Sequence, residues 1–130
     1  MRKIGFDIHG VVDKFPDIFT TLGRIFVNAG IEVHIITGSP DGPMIQAELY
    51  KAGMIKGVHY THFFSILDYN ESLGNSVQYD KYGYGWCDND IWNKTKGEYC
   101  KNNNIDLMID DSDEYHKYFD LDKTVYCLVK

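Results

Sequence analysis

Short apolar runs alternate along the chain with segments whose apolar residues recur every three or four positions. Lys3 to Asp7 is an apolar run that ends on an aspartate, and it predicts a short buried strand. In Asp17 to Ala29, Ile18, Phe19, Leu22, Ile25 and Phe26 fall at helical spacing, with Gly30 as a natural stop. Glu32 to Thr37 predicts a second strand, closed by Gly38, Ser39 and Pro40. Pro43 suits the first turn of a helix that runs through Lys51 and Ala52 to a Gly53 cap. Val58 to Leu67, rich in aromatic and β-branched residues, predicts a third strand. Asp68 to Asp88 is polar, irregular and full of Tyr and Gly; a loop of that length implies a function or a small hairpin. Asp90 to Asn102 predicts a helix capped by Asp88 or Asn89. Ile105 to Ile109 predicts a buried strand that ends at Asp110 and Asp111. A short helix over Asp113 to Tyr118 and a last strand over Val125 to Val129 complete the pattern.

Alternating strands and helices predict an α/β fold with a mainly parallel sheet covered on both faces. The 130 residues suffice for one domain, residues 1–130, and no linker, repeat or low-complexity segment divides them. A hydrophobic content of 44% is enough for a real core. The formal net charge of −6 argues against non-specific wrapping of nucleic acid, but not against an enzyme that acts on a nucleotide end. Cys87, Cys100 and Cys127 form no CxxC and leave an odd count, which suits buried thiols in a reducing compartment. No apolar run is long enough to span a membrane, and the start runs directly into a strand without a signal-peptide apolar region. A cytoplasmic protein is the expectation.

Three strands end in polar chemistry: Asp7, the Thr37-Gly38-Ser39 segment, and Asp110-Asp111. In a parallel sheet these tips share one edge, so residues far apart in the chain converge. Carboxylates from two strand ends suit a hard divalent cation, and Mg²⁺ takes few carboxylates, several waters and a phosphate. Thr37 and Ser39 offer hydroxyls and N–H groups at a helix N-terminus, where anions bind, or they cap that helix. Lys94 and Lys96 precede the strand with the paired aspartates, and either supplies a fixed positive charge. The sum is an anion-plus-metal site with an aspartate available as nucleophile.

The order DxxGVVD at Asp7 to Asp13, TGS at 37–39, a lysine on a late helix and IDD at 109–111 resembles the haloacid dehalogenase-like (HAD) hydrolase superfamily. The resemblance covers nearly the whole chain and implies a three-layer Rossmann-like sandwich. It implies a Mg²⁺-dependent phosphatase in which Asp7 is phosphorylated. His9 stands at the acid/base position, with its backbone carbonyl as a metal ligand. Thr37, with Gly38 and Ser39, would bind a phosphoryl oxygen, and Lys96, or Lys94, would neutralise the phosphoryl group and nucleophile. Asp110 would bind Mg²⁺ directly, and Asp111 would act through a water or hold the lysine. The partner is then a small phosphorylated molecule, a nucleotide or a phosphorylated nucleic-acid end.

His9 departs from the family pattern, where an aspartate occupies this position. An imidazole with an ordinary pKa of about 6.5 can donate and accept a proton near neutrality. A protonated ring beside Mg²⁺ is unfavourable, so the alternative is a weak or inactive phosphate- and metal-binding module that works with a partner. The chain has no room for a large cap, and residues 68–88 are a candidate minimal lid. Asp13 and Phe15 are read as flap residues. Tyr82, Tyr84 and Trp86 either stack on a base or sugar or, the favoured reading, pack on the loop's own core. His34, His59, His62 and His116 form no ligand spacing and receive no role.

Overall fold

A computed structural model describes residues 2–130. In chain order its elements are β1 (Lys3–Phe6), α1 (Pro16–Asn28), β2 (Glu32–Thr37), α2 (Pro43–Lys51), β3 (His62–Ser65), α3 (Ile66–Ser72), β4 (Gln78–Tyr79), β5 (Gly85–Trp86), α4 (Asn89–Asn102), β6 (Leu107–Asp110), α5 (Asp113–His116) and β7 (Val125–Leu128). Five strands form one sheet in the order β3-β2-β1-β6-β7, and every neighbouring pair is parallel. β4 and β5 pair antiparallel as a separate hairpin. The architecture is α/β, a parallel sheet flanked by helices and compatible with a Rossmann-like fold.

Strand alternation divides the core between the two faces of the sheet. Phe6, Val33 and Ile35 pack on one face with Phe19 of α1 and with Ile45 and Leu49 of α2. Phe6 and Phe19 meet edge to face, with ring centroids 5.0 Å apart. Ile36 and Met108 point the other way and pack with Cys100 of α4, Ile105 and Phe119. α4 starts where the sequence predicts, because the Asp88 side chain accepts hydrogen bonds from the Asp90 and Ile91 N–H groups.

The expected strand over Val58 to Leu67 is only four residues long. Gly57 turns the chain at φ +85°, and pairing with β2 begins at His62. At the other end the Ser65 hydroxyl accepts from the Asp68 N–H and caps α3. The apolar Ile66 and Leu67 are therefore the buried start of a helix rather than strand. Within 68–88, α3 supplies the first part and the β4–β5 hairpin the second, so the small hairpin is present. Cys87 and Cys100 are buried, but Cys127 is exposed on the edge strand β7, contrary to the expectation of three buried thiols. Among the described residues no helix is long and apolar enough to cross a membrane.

The register locates the chemistry. Phe6 is opposite Ile109, so Asp7 and Asp110 leave adjacent strand tips, and the Asp7 N–H bonds the Ile109 carbonyl at 3.0 Å. The sheet grows from β1 outward to β2 and β3, then resumes on the other side of β1 with β6. In open α/β sheets such a reversal leaves a crevice at the carboxyl ends of the strands.

Candidate functional site

A buried ammonium joins the two strand tips. Lys96 Nζ lies 2.7 Å from Asp110 Oδ2 and 3.1 Å from Asp7 Oδ1. The other Asp110 oxygen accepts from the backbone N–H groups of Asp111 at 2.8 Å and Ser112 at 3.3 Å. Both Asp110 oxygens thus have partners, whereas Asp7 keeps an oxygen free of these partners. One oxygen each from Asp7, Asp110 and Asp111 falls within 4.8 Å of the other two.

The charges do not balance within this group. Burial pushes the Asp7 carboxyl up to about 7, Lys96 pulls it down, and Asp110 adds to the rise. Burial also raises Asp110, against the pull of Lys96. Burial opposes the charge on Lys96, but Asp7 and Asp110 outweigh it and hold its pKa above the ordinary lysine value. One ammonium faces two buried carboxylates, with the exposed Asp111 beside them. A second, hard cation fits this all-oxygen donor set.

The group forms the polar end of a cavity of about 530 Å³. Thr37, wholly buried, lines it with Gly38 and Ser39, and the α2 N-terminus opens onto it through Gly42 and Pro43. Pro40, Met44, Leu67, Tyr84 and Trp92 give its remaining wall an apolar character. Gly38 permits this shape, since a Cβ there would strike the Trp92 ring. Trp92 Nε1–H donates to Tyr115 Oη at 2.6 Å, and Lys96 Nζ sits 4.7 Å over the Tyr115 ring. Trp92 and Lys96, four residues apart on α4, share one face of that helix. Together these rings brace the ammonium.

Residues 8–12 form one wide turn between β1 and α1. The N–H groups of Val12 and Asp13 reach back five residues to the carbonyls of Asp7 and Ile8. Gly10 takes φ +83°, and a Cβ on it would run into the Asp111 carboxylate. Asp13 accepts from the Gly10 N–H at 2.7 Å, so it stabilises this turn, and Phe15 packs on the core. The turn carries the His9 side chain outward to the cavity rim, half exposed, where its Nε2 lies 2.7 Å from Glu48 Oε2 of α2.

Asp7, His9, Thr37, Gly38, Ser39, Lys96 and Asp111 all line the cavity, with Asp110 beneath them. Lys94 does not: it is exposed on another face of α4, so Lys96 is the lysine that reaches the aspartates. The alternative that Thr37 or Ser39 caps the next helix is not met, because Gly42 occupies that position and α2 has no side-chain cap. The His9 imidazole is absent from the carboxylate cluster. Tyr82, Tyr84 and Trp86 are all exposed rather than packed on a loop core, and of the three Tyr84 reaches the cavity. Sequence reasoning missed Glu48, Trp92 and Tyr115. The spacing of Trp92 to Lys96 was a readable signal for one of them, whereas nothing along the chain links Glu48 to His9.

The arrangement can hold an anion beside a cation with one carboxylate oxygen directed at it. No family model, curated protein or solved structure matches the chain.

Proposed function

We propose that the protein is a Mg²⁺-dependent phosphomonoester hydrolase of the HAD-like type, with Asp7 as nucleophile. The observation that carries this reading is the Lys96 bridge between Asp7 and Asp110 at adjacent parallel strand tips, on the floor of a ligand-sized cavity.

In this reading the phosphoryl group lies between Lys96 and the Thr37-Gly38-Ser39 segment. The free oxygen of Asp7 attacks phosphorus, and the bond to the leaving oxygen breaks. His9 donates a proton to that oxygen, held through Nε2 by Glu48, with Nδ1 as the exchanging nitrogen. Water then attacks the aspartyl-phosphate, His9 takes its proton, and inorganic phosphate leaves. Mg²⁺ bound by Asp7, Asp110, the His9 carbonyl and, through water, Asp111 would offset charge on the phosphoryl oxygens. The apolar wall formed by Met44, Leu67 and Tyr84 suits a leaving group with an apolar or aromatic face, such as a nucleotide or a phosphorylated nucleic-acid end.

Hydrolysis of an aryl phosphate, with and without Mg²⁺, in the wild type and in Asp7→Asn tests the proposal. The expected result is Mg²⁺-dependent turnover that Asp7→Asn abolishes; equal rates in the two proteins refute it. The engagement of His9 with Glu48 on the rim favours a second reading, a phosphate- and metal-binding module. Mg²⁺-dependent binding of phosphate analogues without turnover across a broad panel of phosphomonoesters would support that one instead.

A further inference from the structure

We propose that Glu32, His34 and His62 form a second cation site, of zinc type, at the opposite end of β2 from the carboxylate cluster. Residues 32 and 34 project from one face of β2, and the parallel register sets His62 of β3 directly beside His34. One potential ligand atom from each residue lies within 4.8 Å of the other two. His34 Nε2 is 2.9 Å from Glu32 Oε1, and His62 Nδ1 is 3.7 Å from the same oxygen. Two imidazoles and one carboxylate form a donor set that suits zinc better than magnesium. Three protein ligands leave a fourth tetrahedral position for water.

The surroundings of His34 support ligation. It is 3% exposed, and its Nδ1 lies 2.7 Å from Tyr99 Oη of α4. Without metal, the Nε2 proton bonds Glu32. When a cation binds, that proton relocates to Nδ1, where Tyr99 Oη accepts it, and the Nε2 lone pair is released to the metal. An orienting partner on the second ring nitrogen is the usual companion of a ligating histidine.

His62 is the movable ligand. Its ring now stacks on His34 at 4.3 Å with 9° between planes, and its Nδ1 lies 2.8 Å from Thr61 Oγ1. Ligation swings the ring out of that stack, and its half-exposed position leaves room for this. Lys3 Nζ, 4.0 Å from Glu32 Oε1, is the cation that the metal displaces. The site would clip the edge strand β3 to β2. Thr37 lies three residues beyond His34, about 10 Å along the strand, so the clip is independent of the phosphatase reading.

The test is calorimetric titration of Zn²⁺ into the protein with excess Mg²⁺ present, together with the absorption spectrum of the Co²⁺ form. One equivalent of Zn²⁺ is expected to bind and raise Tm, and Co²⁺ should give tetrahedral bands without a sulfur charge-transfer band. His62→Ala removes the half-exposed ligand and should weaken Zn²⁺ at least about tenfold. Asp7→Asn should leave Zn²⁺ affinity unchanged, and Lys3→Met should increase it. No saturable Zn²⁺ binding, a thiolate band assigning the metal to Cys127, or affinity lost in Asp7→Asn but kept in His62→Ala would each overturn the proposal.

Discussion

Lys96 Nζ lies 2.7 Å from Asp110 Oδ2, and neither side chain has more than 2% of its surface in water. A buried pair of this kind contributes little net stability when intact, because desolvation offsets most of the attraction. Its removal is another matter, since the partner left behind keeps the full cost of burial.

Lys96→Met keeps the length and volume of the side chain but strands Asp7 and Asp110 without their ammonium. The expected loss is about 3–5 kcal/mol in urea denaturation at pH 8. Adding Asp7→Asn to Lys96→Met should recover part of it by removing one orphaned charge. A stability of Lys96→Met equal to the wild type would mean that water already reaches the pair.

The raised pKa of Asp7 gives the metal-free protein a pH dependence of defined sign. The folded state holds this proton to about pH 7, whereas the unfolded chain releases it near the ordinary 3.8. Between those values the folded state binds more protons, so the Asp7 contribution to stability falls as pH rises and is fully lost above about 7. The lowered His34 and His59 pKa values act in the opposite sense below 6.5, so the diagnostic quantity is the difference between wild type and Asp7→Asn. In EDTA, Asp7→Asn should gain stability over the wild type from pH 5 to pH 8, by on the order of a few kcal/mol. Mg²⁺ should raise the wild-type Tm more at pH 8 than at pH 5. Parallel pH profiles for the two proteins would contradict the shift.

The parts of this site legible in the sequence are those that strand ends dictate. Asp7, Thr37 and Asp110 each follow an apolar run, and a parallel sheet brings such ends to one edge. The choice of Lys96 over Lys94 needed the helix phase, since only one of the two can face the sheet. The β3 boundary failed because Ile66 and Leu67 are as apolar as a strand while the Ser65 cap turns them into a helix. Glu48, His34 and His62 were illegible for a different reason. His9 meets Glu48 across 39 positions, and His34 meets His62 only through strand register. No linear spacing records either pairing.

Gly38→Ala tests the aromatic brace. A Cβ at 38 would press on the Trp92 ring, which holds Tyr115 and, through it, the bed of Lys96. The ring is tethered by its bond to Tyr115 Oη, so a loss of about 1–3 kcal/mol is expected from thermal or urea denaturation. If phosphate binds at the same segment, KM for an aryl phosphate should rise as well. Gly42→Ala, where a Cβ meets nothing within 4 Å, is the control that should change neither.

Glu48→Gln separates a working His9 from a bystander. The two side chains meet on the half-exposed rim, so their pairing adds little to stability, and the variant should melt within about 2 °C of the wild type. Glutamine keeps an acceptor for the Nε2 proton but holds it less tightly than a carboxylate does. If His9 donates the proton to the leaving oxygen from this anchored position, kcat should fall in Glu48→Gln with KM nearly unchanged. His9→Ala should lower kcat by about 10²–10⁴, the usual range for loss of a general acid. An aryl phosphate with a very acidic leaving group needs no proton, so its phosphoryl-transfer step, followed by single turnover, should lose far less. Equal losses for acidic and basic leaving groups, or a kcat unmoved by Glu48→Gln, would assign the pair to the architecture of the rim rather than to proton transfer.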